Sequence, residues 1–482
     1  MNSEVEKFLK GDSKDSYNYF GAHKVNDGVC FRLYAPHAKS VEVSTNQVNH
    51  KMEKVDFRGV FETRVKDVKE FDPYHYEILT NDDNWINKND PYALYHEIGK
   101  SAYIDSDTYI FNDDKWVSKK SVYEYFNACQ ITDDFKMDEQ REFIEYLKKY
   151  NFNYLILKPY DEKYLYCVNK IFINESSLKN FIDNLHQFNI GVIFEFDTET
   201  FFDYPEGLND FDGTGIYNKN IDKYKEVDAI YFDYENNATK SYVKSLLNYY
   251  LEVFHADGLY LNNSEFNKQL ESDISDKIFI YKDVNASSKY IDELIENINK
   301  GFDYKKFVDM NLESNSYIVY DHKNVLKLIK GNEEYKNEIS RMILALCYIN
   351  NCYCISVYNT DCKYLKALEK LSNLYSSSRA LYGKTKRNLL YNGKWNKYFA
   401  YEYVSKNDYI LTVINFSDKE DEKFDLGMQF YGYYTLILDT KDNSASDELF
   451  YTREKKIHNK ELALKMHLKP NQVLVYKRMR DI

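Results

Sequence analysis

Two carboxylates border apolar, strand-like runs, which is where an enzyme can hold an acid, a base or a nucleophile. Glu195 follows the run Gly191-Val-Ile-Phe, and Asp257 immediately precedes Gly258-Leu-Tyr-Leu. A paired carboxyl and carboxylate can donate a proton and attack a carbon centre. We expect both residues near the mouth of the α/β domain that contains them. Residual catalysis is one interpretation; strand-end capping and hydrogen bonding is the expected one.

Composition excludes several classes of protein. The chain has 482 residues, is 44% hydrophobic and 17% aromatic, and carries a formal net charge of -13. It is long enough for about three domains and too apolar for a disordered chain. An acidic chain repels phosphate backbones, so no nucleic-acid partner is expected.

The cysteines and the apolar runs indicate the compartment. The seven cysteines are scattered without a zinc-type spacing, so we expect free thiols in a reducing compartment, no metal and no cofactor. The first residues lack the apolar core of a signal peptide, and no run approaches the roughly 18 apolar residues of a membrane span. The sequence therefore predicts a cytoplasmic protein with no membrane partner.

Hydrophobic periodicity divides the chain into three regions. Residues 1–118 contain short alternating strands such as Gly28-Val-Cys-Phe-Arg-Leu-Tyr, which predicts a β-sandwich. Residues 119–385 alternate amphipathic helices with apolar strands, which is typical of a parallel α/β domain and allows a barrel. Residues 386–482 return to strands and predict a C-terminal antiparallel β domain.

An ordered set of local motifs identifies the family that the chain resembles. In chain order they are Phe20-Gly-Ala-His, Phe31-Arg-Leu-Tyr-Ala-Pro-His-Ala-Lys-Ser-Val-Glu-Val, Gly191-Val-Ile-Phe-Glu-Phe, Phe211-Asp-Gly-Thr-Gly, Phe254-His-Ala-Asp-Gly-Leu and Leu468-Lys-Pro-Asn-Gln-Val. Together they resemble the bacterial 1,4-α-glucan (glycogen) branching enzymes of the α-amylase superfamily, family 13 of the glycoside hydrolases. The resemblance implies an α/β fold: a degenerate (β/α)8 TIM barrel, preceded by a β-sandwich like a family 48 carbohydrate-binding module and followed by a C-terminal antiparallel β domain.

Enzymes of that family need a nucleophilic Asp, a proton-donating Glu and a second Asp that holds the sugar. In this chain the resemblance places Asn262 at the nucleophile, Lys282 at the proton donor and His322 at the third carboxylate. A neutral amide is a poor nucleophile, and an ammonium group with a reference pKa near 10.4 is a weak proton donor at neutral pH. Displaced carboxylates, Asp283 or Asp321, are the alternative source of activity.

The same resemblance supplies candidate contacts to a glucan. Tyr164 and Tyr166 lie in the segment that matches the substrate side of the family's cleft, and Trp85 lies in a polar loop where its ring could stack on a sugar. The chain is therefore predicted to be a branching-enzyme-like pseudoenzyme that binds α-1,4-glucan or glycogen, or regulates glycogen metabolism. The alternatives are an active branching enzyme in glycogen biosynthesis and a scaffold that uses the fold to bind a protein partner.

Overall fold

A computed structural model describes residues 3–105, 109–117, 125–132, 135–136, 139–219, 228–274, 276–282, 287–310, 317–350, 353–382, 385–406, 408–441 and 443–479. In chain order, the strands of this part of the chain are β1 Gly21–Val25, β2 Gly28–Tyr34, β3 Ser40–Thr45, β4 Val48–Lys51, β5 Glu53–Asp56, β6 Val60–Val65, β7 Pro73–Leu79, β8 Trp85–Lys88, β9 Tyr95–Glu97, β10 Lys100–Ala102, β11 Asn127–Gln130, β12 Tyr154–Leu157, β13 Gly191–Glu195, β14 Thr200–Phe202, β15 Ala229–Tyr231, β16 Gly258–Asn262, β17 Ile278–Lys282, β18 Tyr317–Tyr320, β19 Tyr353–Val357, β20 Lys386–Gly393, β21 Tyr398–Ser405, β22 Asp408–Asn415, β23 Asp421–Met428, β24 Tyr433–Asp439, β25 Ser444–Tyr451, β26 Arg453–Ile457, β27 Lys460–Leu468 and β28 Gln472–Arg478.

The helices of the described residues are α1 Ser3–Lys10, α2 Asp114–Val117, α3 Gln140–Lys149, α4 Glu175–Gln187, α5 Asn237–Val253, α6 Glu265–Asp273, α7 Ser287–Asn299, α8 Tyr304–Asp309, α9 His322–Leu328, α10 Glu333–Ile349, α11 Cys362–Ser377 and α12 Arg379–Tyr382. The chain divides into two compact units. Unit 1 contains residues 1–118, 133–140 and 156–282, and unit 2 contains residues 119–132, 141–155 and 283–482. The domain boundaries at 118 and 385 stay predictions.

The N-terminal part of unit 1 consists of two antiparallel sheets, as the two-residue alternation predicted. One sheet has the strand order β1-β2-β6-β5, and the other has the order β4-β3-β7-β10-β9 with β8 paired to β7. Strand β7 shows how the pattern works: Tyr74, Tyr76 and Ile78 are buried, whereas the residues between them are partly exposed. Alternate residues of a strand point to opposite faces, so one face supplies the core.

Unit 1 also contains the parallel strands that carry two of the predicted site positions. Strand β13 pairs with β16, and β16 pairs with β17, all in parallel. A side chain cannot be accommodated at Gly258, because a Cβ there would lie 2.3 Å from the carbonyl oxygen of Ile278. The glycine thus allows the close β16–β17 approach that pairs Asn262 with Lys282.

Unit 2 contains a second set of parallel strands and the C-terminal β region. Strand β19 pairs in parallel with β11 and with β18. The C-terminal strands form an antiparallel sheet of order β20-β21-β22-β28-β24-β25 and a three-stranded sheet of order β23-β27-β26. Their buried residues, among them Leu411, Leu426 and Leu464, make one hydrophobic core.

Cysteines and hydropathy add two observations. Within the described ranges the cysteines are free thiols, five of them buried and Cys362 exposed, whereas Cys352 lies outside those ranges. None of the helices described above combines the length and the apolar character that crossing a membrane requires.

Candidate functional site

The C-terminal ends of β13, β16 and β17 bring together the residues that motif comparison had selected separately. Glu195 pairs in register with Tyr260, and Asn262 pairs with Lys282. Register partners in a parallel sheet, and residues two apart on one strand, lie on the same face. The four side chains therefore share one face at the strand ends, which is where α/β folds hold their sites.

Lys282 and Glu195 form an ion pair across the intervening strand β16. The Lys282 Nζ lies 2.6 Å from the Glu195 Oε1, and their side chains are only about a quarter exposed, at 26% and 23%. The ammonium group also lies 5.3 Å from the centre of the Tyr260 ring, within the range of a cation–π contact. The lysine thus neutralises the carboxylate at this end of the strands.

Tyr260 lines this site, and its phenol stays neutral. Its side chain is buried, and burial, reinforced by the negative charge of Glu195, raises its pKa above the usual value of 10.0. A phenol with a raised pKa does not act as a base near neutral pH.

Asn262 is fixed by the turn that follows β13. Its Oδ1 accepts a hydrogen bond from the backbone N–H of Thr198 at 3.2 Å. The Nδ2 of Asn267, in the first turn of α6, donates to the Asn262 carbonyl oxygen and to the Thr198 Oγ1, each at 2.7 Å. Because Ser264 caps α6 through the Asn267 N–H, the helix start is itself fixed. The Asn262 amide is an acceptor in a structural network.

Asp257 does not lie near the mouth of the α/β domain, so its expected position is wrong, whereas its hydrogen bonds agree with the expected role in strand-end hydrogen bonding. Asp257 precedes β16, so it lies at the N-terminal end of the strand, opposite to Asn262. It is 3% exposed, and its carboxylate accepts hydrogen bonds from Trp116 Nε1 at 2.8 Å and from the Val192 N–H at 2.7 Å. Because these hydrogen bonds join buried groups, Asp257 has a structural role in the fold.

Two histidines complete the network around Asp257. His186 lies between two carboxylates, with Nδ1 2.8 Å from Asp113 Oδ2 and Nε2 3.1 Å from Asp257 Oδ2. Burial opposes its charge, but the two hydrogen-bonded carboxylates outweigh burial and raise its pKa above 6.5. His255 places Nδ1 3.0 Å from Asp113 Oδ2 and stacks on Phe111. His255 therefore has a packing role.

The third family position, His322, begins α9 in unit 2. Its side chain is 3% exposed, and burial lowers its pKa below 6.5. The preceding residue, Asp321, caps α9 by accepting a hydrogen bond from the Asn324 N–H at 3.1 Å. This cap gives the alternative carboxylate Asp321 a local structural role, whereas the other alternative, Asp283, lies outside the described residues.

The predicted glucan contacts have different environments. Tyr166 is 1% exposed, and its hydroxyl group is hydrogen bonded to Ser245 Oγ at 3.1 Å, so we correct the prediction for this side chain: it belongs to the core. Tyr164 stacks on the imidazole of His96 with ring centres 3.3 Å apart. Trp85 is 51% exposed at the start of β8, where a flat ring is available to a sugar. For Tyr164 and Trp85 the role stays a prediction.

Sequence reasoning missed the contacts that define the strand-end site. The motifs indicate Lys282 and Glu195 separately but not as a pair, because the pairing depends on the strand order β13-β16-β17. Thr198 gave no signal. The sequence signal that was available is the Ser264 cap with Asn267 three residues later, which marks the start of a helix directly after β16.

Comparison with known proteins establishes the family resemblance. Residues 1–92 match the family model of the N-terminal domain of alpha-1,4-glucan branching enzyme GlgB, and residues 392–479 match that of the alpha amylase C-terminal all-beta domain. The chain is 24% identical to the 1,4-alpha-glucan branching enzyme GlgB of Fusobacterium nucleatum over 65% of this chain and 55% of that protein. It is 30% identical to the corresponding enzyme of Halothermothrix orenii over 52% of this chain and 46% of that protein.

Solved structures show the same fold. A type I pullulanase from Bacillus subtilis, in complex with maltose, aligns with a TM-score of 0.71 at 12% identity over 95% of this chain and 85% of the other. A structure from Salmonella typhimurium, assigned as an alpha amylase, aligns with a TM-score of 0.65 at 14% identity over 95% and 99%. The predicted α/β architecture with flanking β regions is therefore confirmed.

These matches define the class: an α-amylase-type fold with β regions at both ends. Within that class the chain resembles the 1,4-α-glucan branching enzymes, as its motifs indicated. The chain spans about half the length of the curated relatives it matches.

Proposed function

We propose that this chain is a branching-enzyme-like protein that binds α-1,4-glucan without catalysing its branching. The observation that carries the proposal is the Lys282–Glu195 ion pair beside Asn262 at the C-terminal ends of β13, β16 and β17. A retaining glycoside transfer needs a carboxylate nucleophile and a carboxylic acid about 5–5.5 Å apart. The described residues of this face include an amide, an ammonium group and a carboxylate that the ammonium group neutralises.

Charge gives the physical reason for inactivity. The transition state of glycoside transfer is cation-like, and carboxylates stabilise it. Lys282 would place a positive charge where the family has its acid, so it would repel that state and would not protonate the leaving oxygen at neutral pH. Loss of a general acid alone lowers the rate by roughly 10²–10⁴-fold. Loss of the nucleophile lowers it further, though the two losses do not simply multiply.

Glucan as the ligand is supported by the relatives and by one exposed ring. The relatives are named as 1,4-alpha-glucan branching enzymes, and residues 1–92 match the N-terminal domain of that enzyme. Trp85 lies in that region and is half exposed, so its apolar face is available for stacking. A cytoplasmic location, where glycogen is stored, is part of the proposal.

The names of the relatives also support a second candidate, an active 1,4-α-glucan branching enzyme that uses groups other than Asn262 and Lys282. A branching assay separates the two: the chain is incubated with amylose, and the loss of iodine colour and the new α-1,6 ends are measured. The Halothermothrix orenii enzyme is the positive control. We expect no branching above a buffer blank. Branching that survives repeated purification, and that falls when Glu195→Gln is introduced, would establish the active enzyme instead.

Glucan binding is tested separately by co-sedimentation with glycogen. We expect the full chain to sediment with glycogen and Trp85→Ala to be retained on the order of tenfold less, because one stacked ring contributes roughly 1.4 kcal/mol. A matched control is Trp395→Ala, which removes a tryptophan that is even more exposed, at 91%, but lies in the C-terminal region. If the unmodified chain stays in the supernatant, the third candidate, a scaffold for a protein partner, becomes the better explanation.

A further inference from the structure

Residues 109–116, which we call the strap, belong to unit 1 and are held there mainly by polar contacts. Among the side chains of the strap only that of Asp113 is buried; the aromatic ones are partly exposed, and Ile110 is 82% exposed. Burial of apolar surface is the main force that holds a segment in a fold. A segment with so little of it depends on its hydrogen bonds and charges.

The first anchor of the strap is the carboxylate of Asp183 on α4. The Tyr109 hydroxyl group donates a hydrogen bond to Asp183 Oδ2 at 3.0 Å, and the Asn112 N–H donates to the same oxygen at 3.1 Å. Asp183 is 2% exposed, so these bonds join the strap to the interior. This anchor does not involve His186.

The second anchor does depend on His186. Its Nδ1 lies 2.8 Å from Asp113 Oδ2 in the strap, and its Nε2 lies 3.1 Å from Asp257 Oδ2. The other oxygen of Asp257 accepts a hydrogen bond from Nε1 of Trp116, also in the strap, at 2.8 Å. A carboxylate can only accept, so each imidazole nitrogen must donate. The neutral ring has a single N–H and would turn a lone pair toward one of the two carboxylates.

We propose that the strap is a proton-dependent switch: it stays docked on unit 1 while both nitrogens of His186 carry protons, and it is released when one proton is lost. Asp113, His186 and Asp257 are all buried. With the proton, the imidazolium compensates buried negative charge; without it, that compensation is lost, and uncompensated buried charge is costly. Asp113 belongs to the strap and Asp257 binds Trp116, so repulsion at either carboxylate weakens docking.

The switch releases the strap as pH rises. Burial opposes the charge of His186, but the hydrogen bonds to Asp113 and Asp257 outweigh burial and raise its pKa above 6.5. With a raised pKa, docking is complete below the unfolded value and is lost as pH rises through the pKa of the docked state.

One other histidine must be separated from His186. The further charged or titratable groups on the strap, on α4 and before β16 and β17 include Asp114, Lys115, Asp183, His255 and Lys277. Asp114 and Lys115 are exposed, and the Lys277 Nζ donates to the Ala256 carbonyl oxygen. His255 places Nδ1 3.0 Å from Asp113 Oδ2, so it contacts the same carboxylate as His186.

The test is hydrogen exchange of the full chain, measured by mass spectrometry and corrected for the intrinsic effect of pH on exchange. The reporters are the amides of Asn112 and Trp116, which donate to Asp183 and to the Asp113 carbonyl oxygen. We expect their protection to fall on the order of tenfold between about pH 6 and about pH 8.5, because a charge-assisted hydrogen bond is lost. The amides of α5 are the internal control and should keep their protection.

Two variants identify the titrating group. His186→Gln should leave the strap weakly protected at both pH values, without pH dependence. The matched control, His255→Gln, removes an imidazole that is 36% exposed and should keep the pH dependence. The wild-type profile and His255→Gln decide the question even where His186→Gln does not fold.

Three results would overturn the proposal. The first is a strap whose protection is unchanged over this pH range, and the second is a pH dependence that disappears in His255→Gln. The third is an equal loss of protection in α5, because the whole of unit 1 would then be opening rather than the strap alone.

Discussion

The two ends of β16 in unit 1 carry opposite kinds of chemistry. At the N-terminal end, Asp257 is buried and each of its oxygens is hydrogen bonded, so its charge is enclosed in a network with His186 and Trp116. At the C-terminal end, Asn262 and Lys282 lie where side chains remain partly exposed, and the Lys282–Glu195 ion pair there is about a quarter exposed. We infer that charge at the N-terminal end of β16 stabilises the fold, whereas charge at the C-terminal end determines which chemistry is possible there.

The largest expected effect is at the buried end. Asp257→Ala removes the acceptor for Trp116 Nε1, the Val192 N–H and His186, all of them in the interior. Removing one partner of a buried ionic pair typically costs about 3–5 kcal/mol, and we expect the free energy of unfolding to fall by that amount. Urea denaturation followed by far-UV circular dichroism measures it. The control Asp82→Ala changes an exposed carboxylate in the same unit, with an expected effect within about 0.5 kcal/mol.

The stability of the buried network depends on pH, because the pKa values of His186 and Asp113 are shifted in opposite directions. The pKa of His186 is raised above 6.5, so its stabilisation is complete below 6.5 and is lost as pH rises through the folded-state pKa. The pKa of Asp113 is lowered below 3.8 despite burial, by hydrogen bonds from His186 and His255, so its stabilisation is present above 3.8 and is lost at lower pH. The network stabilises the fold most between these values.

A variant isolates the histidine contribution. We expect the difference in unfolding free energy between wild type and His186→Gln to be larger at about pH 6 than at about pH 8.5. Denaturation at the two pH values measures this difference directly. A difference that stays constant or grows toward alkaline pH would show that His186 is not the charged member of the network.

A smaller effect is expected at the exposed end. Lys282→Met removes the ion pair with Glu195 and keeps the aliphatic stem of the side chain against Tyr260. Partly exposed ion pairs contribute about 0–1 kcal/mol, so we expect a loss of less than about 1 kcal/mol in the same urea experiment. Lys268→Met, on the exposed face of α6, is the control. A loss comparable to that of Asp257→Ala would mean that charge contributes equally to the stability of the fold at both ends of β16.

The sequence predicted the local elements well because each is encoded by neighbouring residues. The strand predicted from Gly258-Leu-Tyr-Leu appears as β16, which is one residue longer at its C-terminal end. The sequence also indicated Asn262 and Lys282 as candidate site positions. What it could not supply is the pairing of distant residues: Asp257 contacts partners 71 and 141 positions away. Tyr166 was misjudged for the same reason, because its burial depends on packing against residues far along the chain.

The smallest expected change in stability is that of Asn262→Asp, which places a carboxylate at the position predicted to match the family's nucleophile. The new carboxylate can still accept the hydrogen bond from the Thr198 N–H, and its register neighbour Lys282 offers an opposite charge, so the free energy of unfolding should change by less than about 0.5 kcal/mol. Branching of amylose should remain absent, because the position of the proton donor still holds a lysine and both groups are needed for glycosyl transfer. The iodine assay and urea denaturation of this one variant measure both expectations. Branching by the Asn262→Asp variant alone would show that another group donates the proton. In that case the C-terminal end of β16 would lack only its nucleophile. A single substitution, Asn262→Asp, would then be enough to make that end catalytic.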